Sequence, residues 1–101
     1  LKSLADTVNT PELQMRMAEG EHYALMEQLQ KTAKFPDAQE VITLDGLRVE
    51  YADGFGLARP SNTTPVIVLR FEADNEAALK RIQADFRRVI TAQAPALVLP
   101  F

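Results

Sequence analysis

Several stretches of the chain have the residue pattern of β-strands. Residues 13–17 and 47–51 alternate apolar with polar side chains, which is typical of strands that bury one face. Residues 41–44 and 55–59 are further extended stretches beside glycine-containing turns. Residues 66–72 begin with four consecutive apolar side chains, so this stretch is apolar on both faces and is predicted to lie in the centre of the sheet.

Two other stretches repeat their apolar residues at helical spacing. Residues 21–34 place Leu25, Leu29 and Ala33 four positions apart, with Met26 alongside them and Pro36 behind as a stop signal. A second helix is predicted from an N-cap at Asp74 to a stop before Pro95. Its apolar stripe consists of Leu79, Ile82, Phe86, Val89 and Ile90. Each helix therefore has one apolar face to bury against a sheet.

Two Asp-Gly pairs predict how neighbouring strands connect. Asp45-Gly46 and Asp53-Gly54 each favour the tight turn of a β-hairpin. The predicted order is β-α-β-β-β-α, so we expect an α+β fold, with an antiparallel sheet of about four strands and two helices packed on one face. Residues 1–9 have no sustained period and are interpreted as a linker or hinge segment. Residues 10–101 are then the folded domain, with the apolar residues 96–101 packing back onto it.

The composition narrows the classes of function. A chain of 101 residues with a net charge of −3 is the size of one globular domain and is slightly acidic. Nucleic acid and anionic membranes both call for a basic surface, so we expect neither as a partner. No apolar run approaches the roughly 20 residues that span a bilayer. The absence of cysteine suits a reducing compartment, and we expect a cytoplasmic protein.

The sequence contains no recognisable catalytic or metal-binding constellation. Because the chain has no cysteine and a single histidine, thiolate and multi-histidine metal sites are excluded. His22 is interpreted as a surface or partly packed residue near a helix start, and Asp45 and Asp53 as turn-forming residues. We therefore predict no catalytic residue, no metal ligand and no cofactor in this domain, and we expect the isolated domain to be inactive.

Residues 59–63, Arg-Pro-Ser-Asn-Thr, form the segment with the clearest chemical potential. Arg59 has a planar fork of donors that matches two oxygens of a phosphate. Ser61, Asn62 and Thr63 add neutral donors, and their backbone N–H groups can converge on one anion if the loop curls. The alternative is a plain turn, in which these side chains bond their own backbone and Arg59 is a solvated charge. The residue types by themselves leave both interpretations open.

Three ordered blocks of sequence also carry a resemblance. They are residues 45–49 (DGLRV), 56–65 (GLARPSNTTP) and 66–73 (VIVLRFEA). Together they resemble the C-terminal domain, domain 4, of the α-D-phosphohexomutases, and within that family the bacterial phosphomannomutase/phosphoglucomutase branch. Related mutases often have glycine at the position of Asn62 and glutamate at that of Thr64, and the residues found here fit that branch.

The resemblance implies a TATA-binding-protein-like fold and a place in a four-domain isomerase. Such an enzyme moves a phosphoryl group between the 1- and 6-positions of a hexose, using a phosphoserine in domain 1 and magnesium in domain 2. Domain 4 binds the phosphate that is not reacting, and the residues matching its motif are Arg59, Ser61, Asn62 and Thr63. The implied partners are mannose and glucose phosphates, the bisphosphorylated intermediate and the other domains of the parent chain. Residues 1–9 would be the hinge that lets this domain close.

Two further functions remain open alongside this one. The first is a standalone regulatory module of ferredoxin-like shape, which would bind a small molecule in a pocket between subunits. The second is a structural or interaction domain without a ligand. Titration with a hexose phosphate separates the three functions, because only a mutase domain is expected to respond at residues 59–63 alone.

Overall fold

The computed structural model of the chain describes residues 8–10, 12–44 and 46–101, which fold into an antiparallel sheet and two helices. The elements are β1 (Val8–Asn9), β2 (Leu13–Arg16), α1 (Glu21–Thr32), β3 (Glu40–Ile42), β4 (Leu47–Tyr51), β5 (Gly54–Pro60), β6 (Val66–Ala73) and α2 (Glu76–Gln93). The predicted α+β class is therefore confirmed.

The sheet has six strands, and the expectation of about four was too low. Strands β3, β4, β5 and β6 are neighbours in that order, and β1 and β2 both pair with the remaining flank of β6. Strand β1 is only two residues long, which is too short to produce an alternating pattern in the sequence. The central position predicted for β6 is confirmed, because it has strands on both sides.

Strand β1 also bears on the segment interpreted as a linker. Residues 1–7 of that segment lie outside the described residues, and so does Pro11. Val8 and Asn9 are paired with Ala73 and Glu72 of β6, so the last two residues of the segment belong to the sheet.

The core lies between one face of the sheet and the two helices. Alternate residues of β4 and β6 point into it and are buried: Leu47, Val49, Tyr51, Ile67, Leu69, Phe71 and Ala73. Helix α2 contributes the whole predicted stripe from Leu79 to Ile90, and the rings of Phe86 and Phe71 meet edge to face at 5.2 Å. A side chain at Gly56 of β5 would overlap the Phe86 ring, so this glycine lets the helix approach the sheet.

The helix ends differ from the prediction by one or two residues. Helix α1 ends at Thr32 rather than Lys34, because Ala33 has extended backbone angles (φ −66°, ψ 138°). The N-cap of α2 is Asn75 and not Asp74: the Asn75 side chain accepts a hydrogen bond from the N–H of Ala78 at 2.8 Å. This bond supplies one of the backbone donors in the first helical turn with an acceptor.

The two hairpin turns lie at opposite ends of β4. At one end Gly46 has φ 144°, a value that favours glycine, while its predicted turn partner Asp45 lies outside the described residues. At the other end Tyr51 pairs with Gly54, so the turn residues are Ala52 and Asp53, one position earlier than predicted. The C-terminal tail packs back as expected, with the Phe101 ring 5.1 Å from that of Phe71.

Candidate functional site

The candidate segment is the connection between the two longest strands of the sheet. Arg59 and Pro60 are the last residues of β5, and Pro60 is paired with Ile67 of β6. The N–H of Ser61 donates to the carbonyl of Val66 at 2.9 Å, which continues the pairing by one step. Residues 61–65 therefore form a short loop, which we call the β5–β6 loop, and the sheet holds both of its ends.

The hydroxyl of Ser61 is the centre of the hydrogen bonds inside the β5–β6 loop. Its Oγ accepts from the N–H groups of Thr63 at 3.2 Å and Thr64 at 3.3 Å. The hydroxyls of the same two threonines lie 3.3 Å from it. The loop thus has the local bonds expected of a Ser/Thr turn, and they orient the Thr63 and Thr64 N–H groups towards Ser61.

The first turn of α1 ties the loop to the rest of the fold. The carbonyl oxygen of Ser61 accepts from Nε2 of His22 at 3.1 Å and from the Tyr23 hydroxyl at 3.2 Å. The same hydroxyl lies 3.3 Å from Oδ1 of Asn62. Two consecutive helix residues therefore set the position of the loop.

His22 is a contact of the candidate loop that the sequence did not indicate. It was expected at the surface or partly packed, and that was wrong, because only 3% of it is exposed. The buried residues of α1 are His22, Met26 and Leu29, spaced four and then three positions apart. The predicted apolar stripe shares Met26 and Leu29 with this face and omits only His22, because a polar residue does not extend an apolar pattern.

Two clefts meet at Arg59. The first has a volume of about 310 Å³ and is lined by Glu12, Arg59, Pro60, Ser61, Asn62 and Val68. The second, of about 450 Å³, lies on the α1 side and is lined by Tyr23, Met26, Glu27, Gln30, Gly46, Arg59, Pro60 and Asn62. Thr63 lines neither of these and faces a third cleft with His22 and Tyr23. Of the four predicted site residues, Arg59, Ser61 and Asn62 thus share one concave surface, with Thr63 beyond Asn62.

The positive charge in these clefts comes from Arg59, which is exposed. Its guanidinium has no hydrogen bond or ion pair with any other residue that the structure describes. Each cleft also contains a carboxylate, Glu12 in the first and Glu27 in the second, and Glu27 is paired with Lys31 at 3.0 Å. An exposed arginine with unused donors beside a fixed loop is suited to binding an anion.

The titratable groups with displaced pKa values lie at the other end of β5, near the Ala52–Asp53 turn. Burial raises the pKa of the Tyr51 hydroxyl, and its hydrogen bond to Asp85 at 2.8 Å raises it further. A hydrogen bond to Asp53 raises the pKa of the Arg81 guanidinium. Both pairs join strand ends to α2, so they serve the packing of that helix rather than the β5–β6 loop.

Metal binding finds no support in the side chains at hand. Nowhere in residues 8–10, 12–44 and 46–101 do three His, Asp or Glu side chains gather as a metal site would require. The residues described do not fit a magnesium site. In the same ranges, no helix combines the length and the mean hydropathy needed to cross a membrane.

Comparisons with known proteins all point to one family. The family model described as "Phosphoglucomutase/phosphomannomutase, C-terminal domain" matches residues 12–89. A phosphoglucomutase of Neisseria gonorrhoeae is 50% identical over 101 residues, which are 99% of this chain and 22% of that protein. A phosphomannomutase/phosphoglucomutase of Pseudomonas aeruginosa is 46% identical over 94 residues, which are 93% of this chain and 20% of that protein.

A solved structure gives the same result for the fold. The crystal structure of a phosphoglucomutase/phosphomannomutase family protein from Burkholderia thailandensis superposes with a TM-score of 0.84 at 59% sequence identity. The match covers 94% of this chain and 19% of the other. The chain therefore spans about a fifth of the length of the relatives it matches.

Proposed function

We propose a phosphate-binding role for this chain, which belongs to the phosphoglucomutase/phosphomannomutase family and corresponds to its C-terminal domain. In this role Arg59, Ser61, Asn62 and Thr63 bind the phosphate of a hexose phosphate that is not undergoing reaction. The ligand class is that of mannose and glucose phosphates and of the hexose bisphosphate that lies between the two isomers.

One observation carries the proposal: the exposed guanidinium of Arg59 lines a cleft with Ser61 and Asn62, and none of the described residues pairs with it. A phosphate dianion offers the oxygen pairs that an arginine fork recognises. The loop is held by β5, β6 and α1. Little ordering is therefore required when the anion binds, and preorganisation of this kind favours affinity.

The four residues have different parts in the proposed site. Arg59 supplies charge and two parallel donors, and Asn62 supplies an amide and a backbone N–H. Ser61 accepts the Thr63 and Thr64 N–H groups, so its main contribution is to shape the loop. Thr63 lies beyond Asn62 and adds a hydroxyl at the rim of the site.

The domain acts, in this proposal, within a longer enzyme that interconverts hexose 1-phosphates and 6-phosphates. Binding energy from the distant phosphate positions the reacting end of the sugar, and this domain itself performs no chemical step. A loop that recognises phosphate and not sugar accepts either end of the bisphosphate, which the reaction requires when the intermediate turns around. Magnesium and the phosphorylated nucleophile belong to other parts of that enzyme.

The direct test is an NMR titration of the 101-residue chain with glucose 1-phosphate. We expect a dissociation constant in the mM range or weaker, because one set of anion contacts acts without the other walls of the active site. Arg59→Ala should abolish the saturable shifts and leave the fold intact, since Arg59 is exposed and outside the core.

Arg70→Ala is the matched control for this test. Arg70 is an exposed arginine on the same face of the sheet as Arg59. In the pairing of β5 with β6, Arg70 lies opposite Leu57, whereas Arg59 lies opposite Val68. It should retain the response, since it removes the same charge from outside the cleft. Equal losses in the two variants would mean that only the general charge of the sheet attracts the anion, and the proposed site would be rejected.

The same titration separates the other two functions. Shifts that saturate away from residues 59–64 would favour a small-molecule regulatory module, with dimerisation as its companion observation. A complete absence of shifts up to tens of mM would favour an interaction domain without a ligand, because even weak phosphate sites respond at such concentrations.

A further inference from the structure

We infer that His22 and Tyr23 are positioning residues for the β5–β6 loop, which direct the backbone N–H of Asn62 towards the phosphate. The inference rests on the proposed function and adds two residues of α1 that do not match the loop motif. It concerns geometry only, because neither side chain lines the cleft formed by Arg59, Ser61 and Asn62.

The two side chains converge on one acceptor. Nε2 of His22 lies 3.1 Å from the carbonyl oxygen of Ser61, and the hydroxyl of Tyr23 lies 3.2 Å from it. The His22 distance is in the range of ordinary N–H···O hydrogen bonds, and the Tyr23 distance is slightly longer than an ordinary O–H···O bond. The two rings are themselves in contact, with centroids 4.0 Å apart. A carbonyl held by two donors from one helical turn has little freedom to rotate.

The direction of this carbonyl decides the direction of the next N–H. The peptide group is planar and, in the described residues, trans throughout, so the Ser61 C=O and the Asn62 N–H point to opposite sides. With the carbonyl fixed on α1, the Asn62 N–H faces away from α1. No residue of α1 lines the cleft of Arg59, Ser61 and Asn62, so we infer that this cleft lies on that side of the loop.

The Asn62 N–H is also the donor that the loop leaves available. The N–H groups of Ser61, Thr63 and Thr64 are used within the hairpin and the loop. No acceptor for the Asn62 N–H occurs among the described residues. The side-chain oxygen of Asn62, Oδ1, lies 3.3 Å from the Tyr23 hydroxyl, and this contact turns the side-chain amide nitrogen of Asn62 away from Tyr23.

The burial of His22 supports a positioning role rather than simple packing. Because a carbonyl oxygen only accepts, Nε2 must carry the hydrogen of this bond. The other ring nitrogen, Nδ1, is buried and has no partner among the described residues. An unpartnered buried polar atom is destabilising, and an apolar side chain would fill the same space without it. The imidazole at this position is therefore explained by the bond it donates.

The test compares glucose 1-phosphate binding by four forms of the 101-residue chain, followed through amide shifts. Tyr23→Phe removes one donor and keeps the ring, His22→Phe replaces the imidazole with an apolar ring that has no donor, and the double variant removes both donors. We expect the dissociation constant to rise modestly in each single variant and about tenfold or more in the double variant, as for the loss of one hydrogen bond to a charged group. The Asn62 amide should lose most of its ligand-induced shift.

Two further variants separate positioning from stability. His22→Gln keeps a donor at the place of Nε2 and should restore most of the affinity. Asn75→Ala removes the N-cap of α2, far from the loop, and destabilises the fold by about 1 kcal/mol. It should leave the affinity unchanged, so that a general loss of stability is not mistaken for a loss of positioning.

The outcomes distinguish this inference from the proposed function on which it rests. If the wild-type chain binds and Arg59→Ala does not, but the double variant binds as tightly as wild type, the positioning role is wrong and the phosphate site stands. If Asn75→Ala weakens binding as much as the double variant, stability explains the effect and the positioning role is also wrong. If wild type gives no response at all, both the site and the positioning role are rejected.

Discussion

The two helices cover the same face of the sheet in different ways. Helix α2 buries six residues, all apolar, between Ala78 and Ile90. Helix α1 buries three, and one of these is a histidine that donates a hydrogen bond to a loop. Further along α1, Gln30 donates to the carbonyls of Thr43 at 2.9 Å and Gly46 at 2.8 Å.

The difference assigns each helix to a different task. Helix α2 closes the core through Phe86 and its neighbours, and its polar bonds to Asp53 and Tyr51 lie at one end of the sheet. Helix α1 holds two connections at the opposite end, the β3–β4 turn and the β5–β6 loop, and Gly46 of the first lies against the backbone of Arg59. Changes in α2 should therefore reduce stability, whereas polar changes in α1 should alter the turns that it holds.

The largest effect should follow from emptying the centre of the α2 interface. Phe86→Ala removes a fully buried ring that contacts Phe71 and Phe35, and should lower the free energy of unfolding by about 3–5 kcal/mol in urea titrations. Val98→Ala is the control, because Val98 is 87% exposed and should change stability by less than about 0.5 kcal/mol. A loss below about 1 kcal/mol for Phe86→Ala would show that α2 does not close the core.

A smaller and more local effect should follow from Gln30→Leu. This change removes both hydrogen bonds from α1 to the β3–β4 turn, and we expect a loss of about 1–2 kcal/mol. Amide hydrogen exchange should accelerate at residues 43–47 and stay unchanged in α2. Gln28→Leu is the matched control, since Gln28 lies on the exposed side of the same helix. Uniform acceleration over the whole chain would contradict a local bracing role.

The smallest effect concerns Tyr51, beside the Ala52–Asp53 turn, and should appear only in alkaline solution. The pKa of Tyr51 is raised in the folded state by burial and by its bond to Asp85, above an unfolded value of about 10.0. Its contribution to stability is therefore complete below pH 10 and decreases as the pH rises further. We expect the stability advantage of wild type over Tyr51→Phe to shrink above that pH. An advantage that grows with pH would have the wrong sign.

The sequence predicted helix α2 and its packing on the sheet better than helix α1 and the loop that it contacts. The stripe from Leu79 to Ile90 and the apolar start of β6 are strong periodic signals, and both were confirmed. The predicted stripe of α1 contains Met26 and Leu29, which are buried, but not His22, because an apolar pattern does not identify a buried polar residue. A two-residue strand such as β1 has no period to detect.

The site itself was predicted as a set of residues but not as an arrangement. Donor chemistry and the resemblance both identified residues 59–63, and Arg59, Ser61 and Asn62 do share a cleft. The bonds from Thr63 and Thr64 to Ser61 depend on the backbone path of the loop, which residue types do not determine. The same holds for the contact with α1, since His22 and Ser61 are 39 residues apart in the chain.

The central claim is that phosphate binds at the end of the sheet that carries the β5–β6 loop, and not along helix α2 or at the end that carries the Ala52–Asp53 turn. Mapping the amide shifts of wild type and Arg59→Ala during titration with glucose 1-phosphate tests it most directly. We predict saturable shifts at residues 59–64 in wild type, none in α2, and no saturation in Arg59→Ala. Shifts that saturate in α2, or that persist at residues 59–64 without the Arg59 guanidinium, would contradict the claim.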